Sequence, residues 1–172
     1  MKFVFTAFII FLIPIFQYTF LPFLSFQHLT PDLFLIMTIY FSIIMRSYDK
    51  GYLYGLGLGL LQDLIGGGIA GVNTLSKGLL SLLSKIISSR FLRVHSITQL
   101  LFFLLGSLID SALLLVTTSS LLEKSLTLHI FLSTMFIKFA LNTLLGIPLI
   151  SYLLKLEEAV KTRKRPVYYV RS

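Results

Sequence analysis

The stretch GYLYGLGLGLLQDLIGGGIAGVNTLSKG, residues 51–78, decides the fold. It is apolar enough to sit in a bilayer, yet it carries Gln62, Asp63, Asn73, Lys77 and a dense set of glycines. Gly51, Gly55, Gly59 and Asp63 recur every four residues, so in a helix they lie along nearly one face. Three of these positions lack a side chain and let another helix approach closely. The fourth is a carboxylate, which a membrane helix rarely exposes to lipid. The segment therefore reads as a packed membrane hairpin with a buried polar point. Its bend is marked by Gly66, Gly67 and Gly68, with Gly71 shortly after. Such a run does not hold a regular helix cheaply, so a tight outer turn or a short re-entrant loop is expected. A phosphate-cradling loop is the competing reading, but the Lys-Ser/Thr ending it requires is missing.

The second arm of the hairpin has its own stripe. Asn73, Lys77, Ser81, Ser84 and Ser88 recur at spacings of three and four, which makes a polar, small-residue ridge on one helix face. In lipid such a ridge turns inward or toward a partner helix. The glycine face of the first arm is its natural counterpart.

The rest of the chain supports a membrane setting. Of 172 residues, 56% are hydrophobic and 13% charged, the mean hydropathy is +0.90, and apolar runs repeat along the whole length. That is the composition of an all-α integral membrane protein, with no room for a separate soluble domain. Six apolar segments are expected, at about residues 3–24, 31–45, 51–65, 72–89, 96–118 and 127–154. A hydrocarbon core of ~30 Å needs about 20 helical residues. The second and third segments are short by that standard, so they borrow flanking residues or stop short of the far surface. The first segment is too long for a signal peptide, contains Pro14 and lacks a small-residue cleavage site, and so reads as a retained anchor. Pro14 and Pro148 should kink the first and last spans.

Lysines and arginines set the orientation. With both termini in the cytoplasm, the inner side holds Lys2, Arg46, Lys50, Lys85, Arg90, Arg93, Lys155, Lys161, Arg163, Lys164, Arg165 and Arg171, which is 12 of the 15 basic residues. The outer loops hold Lys124, while Lys77 and Lys138 fall within spans. The net charge of +8 is thus topological and is no sign of nucleic-acid binding. The expected organisation is a six-helix domain over residues 1–156 and a short basic tail over 157–172. That tail begins as a continuation of the last helix, ends it before the pre-proline Arg165, and anchors on anionic lipid or docks a cytoplasmic partner. The phenylalanines, 16 in all, read as lipid-facing bulk and belt residues rather than a ligand cage.

Asp63, Asn73, Lys77, Asp110, Lys138 and Asn142 lie within or beside apolar spans. By helical rise, Lys77, Asp110 and Lys138 sit about 8, 12 and 16 Å from the outer ends of their spans. Charges that deep pair or line a cavity. Asp63 and Asp110 are therefore expected to face Lys77 and Lys138. Two readings stay open: buried pairs that fix helix register, or a solvated pocket or ion path.

Nothing points to an enzyme. Cysteine is absent, so there is no thiolate site. His28, His95 and His129 stand far apart at loop edges and form no metal motif. The serines lack a nucleophile elbow, and Glu157 and Glu158 are adjacent in the tail. No cofactor is expected.

An ordered set of short motifs resembles a known family. Thr30-Pro31-Asp32-Leu33 opens the second span, with Tyr40 inside it; the glycine-rich third span follows, then Leu61-Gln62-Asp63-Leu64-Ile65-Gly66-Gly67 and Gly71-Val72-Asn73. Asp110 sits in a Ser-Leu-Ile-Asp context. This pattern, the length, six spans and a basic tail are similar to the MreD family of rod shape-determining membrane proteins. The match is thinnest in the first span and at residues 119–126.

The resemblance implies a multi-pass, non-enzymatic subunit of the bacterial cell-elongation machinery in the cytoplasmic membrane. Its direct partner would be the bitopic MreC, with MreB, a SEDS-type glycosyltransferase and a penicillin-binding transpeptidase acting alongside in lateral peptidoglycan synthesis. It also implies a bundle similar to the vitamin-binding S components of ECF-type transporters, and marks Asp63 and the turn at 66–73. The glycine face of the third span or the serine ridge of the fourth would supply the MreC contact. The alternative is a vitamin-binding transport component that uses Asp63, Asn73, Lys77 and Asp110 as pocket groups. The bulky first span, with Ala7 as its one small aliphatic residue, lacks the small-residue docking face that reading requires.

Overall fold

The computed structural model describes residues 2–26, 29–45, 48–66, 69–90, 96–121 and 128–162. Among them are six α-helices and no strand: α1 (Lys2–Thr19), α2 (Leu33–Ile44), α3 (Tyr48–Gly66), α4 (Val72–Arg90), α5 (Ser96–Leu121) and α6 (Leu128–Thr162). A short 3-10 turn, Leu21–Leu24, follows α1. The first span thus ends earlier as a helix than the apolar run implies, because Pro22 follows at once. The last helix continues past residue 154, without a break through Leu156 and Glu157 to Thr162. Arg163 onward, including the pre-proline stop, lies outside the described residues.

α2 is the axis of the molecule. It packs on each of the other five helices. Phe34, Leu35, Ile36, Ile39 and Phe41 of α2 are essentially inaccessible and form the core with Leu58, Leu80, Phe102, Phe103 and Ile150. Phe41 stacks on Tyr54 of α3 with ring centroids 4.8 Å apart. Its two central hydroxyls cause no conflict, since Thr38 and Ser42 donate to the carbonyls one turn back, at 2.8 and 2.7 Å.

Length gives α2 its difficulty. Twelve residues rise about 18 Å, well short of a ~30 Å hydrocarbon core. Both ends of α2 carry unpaired backbone groups, which are expensive to leave unmet away from water. Buried side chains from three other helices, Gln17, Lys77, Lys85 and Asn142, meet those ends.

By length and apolar content alone, Ile97–Thr117 and His129–Glu157 can cross a membrane, and Leu33–Ile44 is a shorter apolar helix. α3 and α4 are less apolar, because they carry glycines and polar side chains, and several of these face each other. Gly51, Gly55 and Gly59 are all buried. A side chain at Gly55 would lie 2.8 Å from the Lys77 carbonyl, and one at Gly59 would lie 2.6 Å from the Thr74 Cα. Ser81 donates to the Gly51 carbonyl at 3.0 Å. Ser84 is fully buried, and the Ser88 side chain lies outside the described residues. The glycine face and the serine ridge thus cover each other, which leaves neither open to another protein.

Candidate functional site

The polar centre lies where α2 begins. Asp32 has extended backbone after Pro31 and caps α2, its Oδ1 accepting from the Leu35 N–H at 3.1 Å. The Asp32 N–H donates to Asn142 Oδ1 of α6 at 2.7 Å. Gln17 of α1 holds the same end twice, donating to the Pro31 carbonyl at 3.0 Å and accepting from the Leu33 N–H at 2.8 Å. Helices distant in sequence thereby converge on one short helix terminus. At the other end, Lys85 of α4 donates to the Met45 carbonyl, a cation on the negative pole of α2.

Lys77 is the hub. Its side chain has no solvent exposure, and its Nζ lies 2.7 Å from Asp32 Oδ2 and 3.2 Å from both Asp110 oxygens. It also donates to Asn73 Oδ1 at 3.3 Å. Ser76 donates to Asp110, and Gln62 to Asp32 at 3.3 Å. One ammonium thus ties α2, α4 and α5 together. Burying such a group is tolerable only with this degree of pairing.

Asp63 has a separate task. It accepts from the N–H groups of Gly71 (3.0 Å), Asn73 (3.1 Å) and Thr74 (3.0 Å), from the Asn73 amide (3.1 Å) and from the Thr74 hydroxyl (2.6 Å). These are the orphan donors at the start of α4, so a carboxylate on α3 caps α4 from outside its own chain segment. Its negative charge also suits the positive pole of that helix. The cap has to come from elsewhere because Gly71 precedes α4 with φ +92°, a conformation that favours glycine and offers no side chain. Gly66 closes α3 against the Tyr18 hydroxyl, while Gly67 and Gly68 lie outside the described residues.

The structure thus joins Asp63, Asn73, Lys77 and Asp110 in one network, with Asn73 bridging Asp63 to Lys77. The pairing differs from the sequence expectation. Lys77 takes both Asp110 and Asp32, Asp63 binds backbone rather than a lysine, and Lys138 has no acid partner among the described residues. Asp32 was legible as a helix start but not as the second counter-ion. Its signal was the Pro-Asp step before an apolar run. Gln17, Ser76 and the role of Asn142 had no distinguishing local signal.

The network is closed: Asp63, Lys77 and Asp110 are all buried, and their polar atoms bind one another and helix termini. Among the described residues no group of His, Cys, Asp and Glu could hold a metal ion. Neither the curated proteins nor the solved structures yield a match to this chain. A family model described as rod shape-determining protein MreD matches residues 1–156. The match spans all six helices up to the last turns of α6, and the chain belongs to the MreD family.

Proposed function

We propose that this chain is a non-catalytic subunit of the machinery that keeps a bacterial cell rod-shaped. It sits in the cytoplasmic membrane with six crossings and both termini inside. There it binds an MreC-like bitopic protein and supports lateral peptidoglycan synthesis. MreB, a SEDS-type glycosyltransferase and a penicillin-binding transpeptidase act with it indirectly, and membrane lipid is its surroundings. The family match over residues 1–156 carries this reading. The closed network adds to it. Asp32, Asp63 and Asn142 are engaged in holding helix ends and Asp110 in pairing with Lys77, which suits a scaffold better than a vitamin-binding component.

The topology has physical support. The extended residues before α2 add reach to its ~18 Å. α6, at 35 residues, rises about 52 Å, so it exceeds the core and carries Lys155 out toward the basic end.

Depletion of the protein tests the shape role, with rounded cells as the expected outcome. Purification from native membrane in mild detergent, followed by mass spectrometry, tests the partners. Recovery of a bitopic MreC-like protein and cell-wall synthases supports the reading. Recovery of ATPase subunits or a bound vitamin overturns it.

A further inference from the structure

The outer part of the α5–α6 pair is built differently from the network beside it. Gly146 of α6 lies against the Phe103 ring of α5, and a cleft brings Ser111, Leu114 and Leu115 against Ile130, Phe131 and Thr134. The two helices are antiparallel, so steps of four residues along each keep matching levels. From Phe103 and Gly146 the levels run to Ser107 with Asn142, then Ser111 with Lys138, then Leu115 with Thr134. The last pairing is the one the cleft shows. Lys138 lies outside the cleft wall, one turn of α6 beyond Thr134, which by this register is the level of Ser111.

The polar groups there lack partners. Ser107 and Ser111 are 0% and 2% exposed, and among the described residues neither hydroxyl has a hydrogen-bond partner. Lys138 is half-buried and joins no ion pair among the described residues. Asp110, next to Ser111 in sequence, is turned away to Ser76 and Lys77 on α4. Lys138 thus follows Thr134 of the cleft wall by one helical turn, about 15 Å along α6 from Leu128. At that depth a charge calls for a counter-ion.

We infer that this cleft is the docking point for a membrane-spanning helix of a partner, which places an aspartate or glutamate carboxylate on Lys138. The inference rests on the interaction-subunit reading above and names its contact face. Depth argues for a protein carboxylate over a lipid phosphate, which lies at the membrane surface. Size agrees: the cleft has room for ≈ 20 Å³, about one water molecule. That suits the tip of a side chain. The α3–α4 faces are already covered, so this one is the face with unanswered charge.

The test is photo-crosslinking of the full chain in living cells, with benzoylphenylalanine at Phe131 and, separately, at Leu60 on exposed α3. The expected product from position 131 joins the membrane span of another protein, at a segment holding a carboxylate. Lys138→Glu and Lys138→Met should each lower its yield at least about tenfold, as for loss of one partner in a desolvated charge pair. Lys138→Arg should keep it. Changing the partner's carboxylate to lysine should restore it in the Lys138→Glu background, with membrane levels unchanged throughout. Crosslinks from position 131 only to lipid or to a second copy, or yields indifferent to Lys138, overturn the inference. If position 60 captures a bitopic protein and position 131 does not, the face is wrong and the interaction reading stands. If neither position captures any protein, both fail.

Discussion

Two lysines lie within apolar stretches of the helices, and their surroundings are opposite. Lys77 is fully enclosed, with Asp32 and Asp110 as counter-ions and Asn73 beside them. Lys138 is half-buried, one turn of α6 from a cleft, with no acid partner among the described residues. The difference separates two uses of charge in one bundle. The first charge is answered within the chain and fixes how helices meet. The second is answered by no acid among the described residues, and the docking proposal gives it a partner's carboxylate.

Breaking the enclosed side should have the largest effect. Lys77→Met leaves two carboxylates buried without a cation, and loss of one partner in such a pair costs about 3–5 kcal/mol. Membrane level, read by immunoblot, should fall sharply. Asp63→Ala comes next. It strands three backbone donors at the start of α4, at a cost of about 2–3 kcal/mol. Lowered thermal stability in detergent is the expected readout, and unchanged stability with lost shape function would instead mark Asp63 as a contact residue. Gly59→Leu should cost about 1–3 kcal/mol, because its side chain meets α4 backbone rather than a movable side chain. Gly57→Leu, with open space around it, is the matched control and should stay within about 0.5 kcal/mol. The smallest stability effect is expected for Lys138→Met, again within about 0.5 kcal/mol, with cell rounding as its phenotype.

The hairpin was legible in the sequence because its signal is periodic. Glycines four apart and a polar ridge at spacings of three and four describe two faces that can fit only each other. α2 was legible as a segment, but its shortness hid its importance. A 12-residue apolar helix at membrane depth creates a demand for capping groups, and those come from Gln17, Lys77, Lys85 and Asn142, scattered over three other helices. No local pattern records such a demand. Lys138 misled for the same reason. Depth alone suggested a pairing within the chain, whereas the orientation of Asp110 toward α4 decides against it.

The most direct measurement is thermal unfolding of Lys77→Met and Lys138→Met, side by side with the parent protein in one detergent. The account predicts a large loss of stability for Lys77→Met and none for Lys138→Met. Equal losses, or a stable Lys77→Met protein, would contradict the division of the two lysines between the fold and the partner.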